Sequence, residues 1–161
     1  MTVTEHSGVL AVAEGHDRVL EFIRSPESVA SILPHVEEHR IQDGVSMVKF
    51  RIDLERGGVS PGGGYISTAK AVMKFRYGAA SDNGVTIEGS GRALGSSLKL
   101  SLEIAVGKSD GSTQISWRAV VDTGVLMKLL GSETVQAITA GIIGEILENA
   151  RKALSPGRTT E

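Results

Sequence analysis

The C-terminal apolar stretch, residues 125–154, places the tightest constraint on the fold of this chain. Read as one helix, it contains about 30 residues and is roughly 45 Å long. Apolar residues recur along it at helical spacing and charged residues fill most other positions, so one side of the helix is apolar. The apolar stripe consists of Val135, Ile138, Ile142, Ile146 and Ala150, widened by Ile143, Leu147 and Leu154. Such a helix needs a partner surface.

Strands earlier in the chain can supply that surface. Apolar and charged residues alternate strictly over residues 45–55, and similar alternation recurs downstream, which is typical of strands with one buried face. Turn sequences such as Asp43-Gly44 separate consecutive strands and indicate an antiparallel sheet. The predicted strands cover residues 8–13, 36–42, 45–55, 65–77, 85–95, 98–106 and 113–121.

Two short helices are predicted between the first and second strands. Ser25 and Pro26 end one helix and begin the next, because serine suits an N-cap and proline suits the first helical position. Pro34 ends the second helix. We therefore predict an α+β fold, in which a curved, antiparallel, seven-stranded sheet wraps a long C-terminal helix. Residues 1–154 form one domain, and residues 155–161 form a short polar tail.

The composition excludes several classes of function. A formal net charge of -2 provides no basic field for nucleic acid. The absence of cysteine rules out a disulfide scaffold, a thiolate metal site and a cysteine nucleophile. The N-terminus lacks the pattern of a signal peptide and no apolar run is long enough to span a bilayer, so we expect neither. Missing cysteine together with scarce asparagine and glutamine is typical of a heat-adapted source.

Small residues on the inner strand positions predict an apolar pocket between sheet and helix. Gly89, Gly91, Ala69, Ala71 and Ala119 stand where a sealed core requires bulk, and glycines also let a sheet bend. In the alternative, large neighbouring side chains fill this space, and the pattern alone does not decide between the two.

The expected ligand-binding residues are the large inner side chains and the start of the last helix. Residues 125–130 are apolar nearly all round, and Gly131-Ser132 predicts a kink, so the pocket mouth is placed near Met127, Leu130 and Gly131. The regular stripe beyond it is interpreted chiefly as core. The predicted ligand-binding set is Trp117, Tyr77, Phe75, Met73, Phe50, Tyr65, Leu98, Leu100, Met127, Leu130 and Ile138.

Catalytic and metal motifs are weak. His35 and His39 match an H-x-x-E-H pattern, but Pro34 breaks the helix that zinc binding needs, so no metal is predicted. The glycine-rich segments at residues 57–64 and 89–95 precede strands and lack phosphate-binding spacing. The first of them is interpreted as a hairpin loop, with a gating role as an alternative. Arg92 and Arg118 have outward parity, and no catalytic residue is assigned.

The order of these elements resembles the helix-grip fold of the START-like (SRPBCC) superfamily, which includes Bet v 1-type proteins. More narrowly, the chain is similar to the carbon monoxide dehydrogenase CoxG family. The segments that carry the resemblance are GVLAVAEGHDRVLEF at residues 8–22, SPESVASILPHVEE at 25–38, GSGRALGSSLKL at 89–100 and GVLMKLLGSE at 124–133. Leu20 stands where such proteins commonly carry tryptophan.

The resemblance implies a hydrophobic-ligand protein without established catalytic residues. It also implies an association with molybdenum-containing carbon monoxide dehydrogenase or a related hydroxylase, and a part in membrane attachment and quinone handling. Some members carry a membrane-anchoring extension. Its absence after Glu161 leads us to expect no direct anchor, with a cytoplasmic location and only peripheral contact with the inner face of the membrane as an alternative.

Three functional hypotheses follow. The first is a non-catalytic carrier or accessory protein that binds a quinone or a lipid and needs no other cofactor. The second is an enzyme of the cyclase or dehydratase kind that uses the same pocket. The third is a docking module with a filled core, and a homodimer stays open under each of them.

Overall fold

The computed structural model describes residues 3–53, 68–78, 83–109 and 111–154. Predictions for residues 54–67, including the glycine-rich loop and Tyr65, and for the tail lie outside these residues. The elements are β1 (Val3–Val12), α1 (His16–Arg24), α2 (Pro26–Ser31), β2 (Val36–Gln42), β3 (Val45–Asp53), β4 (Thr68–Tyr77), β5 (Gly84–Ala93), β6 (Ser96–Ser109), β7 (Ser112–Asp122), α3 (Leu126–Leu130) and α4 (Ser132–Ala153).

The strands form one seven-stranded sheet in the order β1-β7-β6-β5-β4-β3-β2, and every neighbouring pair is antiparallel. The predicted sheet is therefore confirmed. The turn between β2 and β3 uses Asp43 and Gly44 at φ angles of 53° and 76°, the left-handed pair that a two-residue hairpin requires. β1 begins at Val3, earlier than predicted.

Alternation along each strand gives the sheet an inner face toward the helices and an outer, polar face. The register brings Trp117 level with Ile104 and Gly8, all on the inner face. On the outer face Arg118 is exposed and pairs with Glu5, as its parity predicted. The amphipathic strands thus fix which side chains the helices can meet.

The two short helices form as predicted. The Ser25 hydroxyl accepts a hydrogen bond from the Ser28 backbone N–H at 3.2 Å and caps α2, whose first turn contains Pro26. Val19 and Ile23 of α1 are buried against the sheet. The two helices therefore close one end of the inner face.

The C-terminal segment contains a sharp break where a kink was predicted. Gly131 adopts φ 91° and ψ 149°, a conformation outside the helical region that separates α3 from the 22-residue α4. The single helix expected over residues 125–154 was therefore wrong. Glycine supplies the positive φ at little cost, so the two helices can take independent directions.

The buried core divides into two clusters. One lies under α1 and the end of α4, and the other lies between α3, the start of α4 and strands β3–β5. The first cluster contains Val12, Val19, Leu20, Ile23, Val85, Ile87, Val106, Ile115 and Leu154. The second contains Ile52, Ala69, Ala71, Ala93, Leu126, Val135 and Ile138.

Gly89 and Gly91 do not leave the empty space that the sequence suggested. A Cβ on Gly89 would lie 2.9 Å from the Phe75 ring, and one on Gly91 would lie 2.7 Å from the sulfur of Met73. Both side chains belong to β4 and lie across β5 at the paired positions. These glycines therefore make room for two large inner side chains.

Candidate ligand-binding site

An apolar cavity of about 310 Å³ lies between the inner face of the sheet and the helices. Its wall includes Ile23 and Leu154 from the first core cluster and Leu126 and Ile138 from the second. Thus the open space extends from one cluster to the other. The volume falls at the small end of the range typical of ligand pockets.

Large apolar side chains in the middle of the molecule face this cavity and remain partly exposed. On α4 they follow the predicted stripe, which lines the cavity rather than serving only as core. A close-packed interior would bury them completely. The partly exposed apolar wall residues include Val29, Ile32, Leu33, Phe50, Phe75, Leu98, Leu100, Leu102, Ile104, Val121, Leu130, Ile142, Ile143, Ile146 and Leu147.

Polar groups are scarce in the wall. The described lining residues include Lys99, Thr123, Thr139 and Trp117 but no histidine, aspartate, glutamate or tyrosine. The Thr139 hydroxyl already donates to the Val135 carbonyl at 2.8 Å. The wall can therefore exclude water from an apolar molecule, but it brings together no acid and base.

Trp117 is the one tryptophan of the chain and lies in the cavity wall. Its Nε1 atom is buried and finds no hydrogen-bond partner among the described residues. An unpaired buried donor costs about 1–3 kcal/mol. A polar atom whose bonding is unsatisfied therefore lies beside the cavity.

Most of the predicted ligand-binding residues line the cavity. The lining includes Trp117, Phe75, Met73, Phe50, Leu98, Leu100, Leu130 and Ile138. Tyr77 instead packs against the first cluster, where burial raises its pKa, and Met127 packs against the second. Gly131 is not in the lining, so of the predicted mouth only Leu130 borders the cavity. Whether these residues bind a ligand stays a prediction.

Sequence reasoning missed the contribution of the helices to the wall. Val29, Ile32 and Leu33 were assigned to the buried face of α2, and Ile142 and Ile146 to the core stripe, yet all of them line the cavity. The helical spacing identified the inward face correctly. It carries no information on whether that face meets side chains or open space.

The segment after α2 is fastened to α4 beside the cavity. The Asn149 side-chain amide donates to the Ile32 carbonyl at 3.0 Å, and His35 Nε2 lies 3.4 Å from a Glu145 carboxylate oxygen. His39, the other histidine of the H-x-x-E-H pattern, lies 2.8 Å from the Ser46 hydroxyl. The described residues contain no group of three or more metal-ligating side chains suited to an ion.

Within the described ranges, no helix has both the length and the hydrophobicity needed to cross a bilayer. The family model for CoxG, a subunit of carbon monoxide dehydrogenase, matches residues 8–155. Among curated proteins the sequence finds no match.

Solved structures share the fold at low sequence identity. A conserved protein from Geobacillus kaustophilus has a TM-score of 0.78 at 9% identity, over 96% of this chain and 97% of that one. Ginseng major latex-like protein 151 from Panax ginseng has a TM-score of 0.61 at 12% identity, over 97% and 100%. A START superfamily protein from Mycobacterium smegmatis has a TM-score of 0.56 at 12% identity, over 94% and 99%. These similarities establish a helix-grip architecture.

Proposed function

The chain belongs to the carbon monoxide dehydrogenase CoxG family, and from this premise we propose that it is a non-catalytic carrier or accessory protein for an apolar small molecule. The ligand is quinone-like or lipid-like. The protein acts in the cytoplasm and serves a molybdenum-containing hydroxylase of the carbon monoxide dehydrogenase type. Family membership supports the partner, and the cavity supports the ligand class.

The partial exposure of large apolar side chains around one internal cavity carries this proposal. Burying apolar surface stabilises a complex by about 25 cal/mol for each Å² removed from water. Side chains such as Leu100 and Ile143 therefore gain free energy when an apolar ligand replaces water or empty space beside them. A wall with few polar groups favours hydrocarbon over a charged substrate.

The same features argue against the other two hypotheses. A cyclase or dehydratase needs groups that donate and accept protons at the substrate, and the described wall has no carboxylate or imidazole for this purpose. A docking module with a filled core has no use for an open volume of about 310 Å³.

Native mass spectrometry of the purified protein, followed by organic extraction, tests the proposal. We expect a species heavier than the bare chain, and an extract that contains a lipophilic quinone or lipid in near-stoichiometric amount. A protein that emerges without a bound molecule, and that binds neither a soluble quinone nor a fatty acid in titrations, would contradict it.

A further inference from the structure

The short helix α3, together with Val125 before it, is apolar on two sides. Leu126 and Leu130 face inward and line the cavity. Val125 and Leu129 lie on the other side, with 52% and 64% of their surface exposed. Packing against the core accounts for the first pair only, so the outer pair needs another explanation.

A third exposed apolar side chain lies at the same end of the cavity. Leu94 is 37% exposed and has a φ of 52°, an uncommon conformation for a residue other than glycine. The turn that contains Leu94 is held beside α3, because the Ser96 hydroxyl donates to the Thr123 carbonyl at 2.9 Å. Leu94 also lines the cavity, as Leu130 does.

Exposed cations accompany these apolar side chains. Lys128 lies between Val125 and Leu129 on α3, while Arg92 and Lys99 flank the Leu94 turn. The Arg92 guanidinium donates to the Gly95 carbonyl at 2.9 Å and so stays at this end. The acidic residues adjacent in sequence are Asp122, whose carboxylate accepts from the Gly124 N–H at 3.0 Å, and Glu133.

We propose that this tip, defined as Leu94, Val125, Lys128 and Leu129 with the flanking Arg92 and Lys99, docks on an anionic lipid bilayer. Apolar side chains that enter the acyl boundary, with cations at the headgroups, are what an interfacial membrane contact requires. A stable protein interface usually needs some 20–30 residues on each side, far more than the tip offers. The cavity then opens toward the bilayer, a consequence that rests on the proposed function, whereas the contact itself does not.

Cosedimentation of the full chain with lipid vesicles tests the tip. We expect binding to mixed phosphatidylcholine–phosphatidylglycerol vesicles, weaker binding to phosphatidylcholine alone, and a decline as salt screens the charges. Val125→Asp and Leu129→Asp should each lower the partition coefficient at least about tenfold. Lys128→Glu should lower it at least about fivefold, the effect expected for one lost cation.

The chain provides matched controls on other surfaces. Val9 on β1 is 62% exposed and Lys152 on α4 is also exposed, so Val9→Asp and Lys152→Glu introduce the same charges away from the tip. Both should bind vesicles as the unaltered chain does, and circular dichroism should show that all variants are folded.

Three results would overturn the proposal. They are no binding to the anionic vesicles, equal losses for the tip and control variants, and a dimer in sedimentation velocity that Leu129→Asp dissociates without a change in vesicle binding. The last result would identify a second copy of the chain as the occupant. Extraction of the same samples separates this proposal from the carrier function, because a protein that docks without carrying a ligand contradicts only the latter.

Discussion

The indole ring of Trp117 lies against Gly8 on the neighbouring strand, with Cζ2 3.0 Å from the position that a Cβ on Gly8 would occupy. The two residues are paired in the β1–β7 register. Glycine thus allows the ring to lie over β1 at the edge of the cavity, a close approach that any other residue would disturb.

Gly8→Ala should displace this ring. The added methyl group forces the indole to shift, so we expect altered tryptophan emission, an affinity for anilinonaphthalenesulfonate that is several-fold weaker, and a stability loss of about 1 kcal/mol. Because the chain has one tryptophan, all indole emission reports on this site. Unchanged emission would show that the ring is not held against Gly8.

Ala119→Leu should fill part of the cavity. Ala119 is buried in the wall, whereas Ala105 on the adjacent strand is exposed on the outer face. We expect the affinity for anilinonaphthalenesulfonate to fall at least about tenfold in Ala119→Leu, since the larger side chain occupies the binding volume. Ala105→Leu serves as the control and should bind the dye as before. Equal affinities in the two variants would place dye binding elsewhere.

Gly91→Ala should destabilise the sheet severely. A Cβ there would overlap the Val72 carbonyl oxygen and lie 2.8 Å from the Met73 Cα, and backbone atoms cannot move aside as a flexible side chain can. We expect the free energy of unfolding to fall by at least about 2 kcal/mol in urea titrations. Gly107 has open space around it, so Gly107→Ala should change stability by no more than about 0.5 kcal/mol. Comparable losses would mean that β4 adjusts to the methyl group.

Glu37 should titrate at lower pH than an isolated glutamate. A hydrogen bond from Arg51 holds its pKa below the ordinary value of 4.5; burial opposes this shift, while the charges of Arg51, Lys70 and Lys49 support it. The carboxylate therefore contributes stability above the unfolded-state pKa, near 4.3, which is lost as pH falls through the lower folded-state pKa. The NMR titration of Glu37 should move toward 4.5 in Arg51→Met, but not in Arg118→Met, which disturbs the separate Glu5 pair.

The strand pattern in the sequence predicted the fold well, for a physical reason. Each strand alternates between apolar and polar residues, so a register error would bury charge, and this requirement fixed the inner face that contains Phe50 and Trp117. Local signals such as Ser25-Pro26 and Asp43-Gly44 depend only on adjacent residues and were confirmed. The break at Gly131 was underestimated, because a glycine inside a helical pattern specifies neither the size nor the direction of the bend.

The cavity was only partly accessible to sequence reasoning. Its existence depends on how far α4 stands from the sheet, a distance that no local pattern encodes. The small residues Gly89 and Gly91 suggested an incorrect origin for the space, since Phe75 and Met73 occupy the room beside them. Tyr77 was expected to line the pocket because inward parity cannot distinguish its middle from its end, where Tyr77 packs under α1.

The division of the core into two clusters separates the residues that hold the fold from those that face a guest molecule. Side chains such as Leu100 and Ile143 line the cavity but belong to neither cluster, so exchanging them for residues of other sizes leaves both anchors in place. A lineage built on this plan can change its cargo by drift in the middle of the molecule while its architecture persists. The protein therefore has an adjustable interior between two fixed ends, and recognition can evolve in it without passing through an unfolded ancestor.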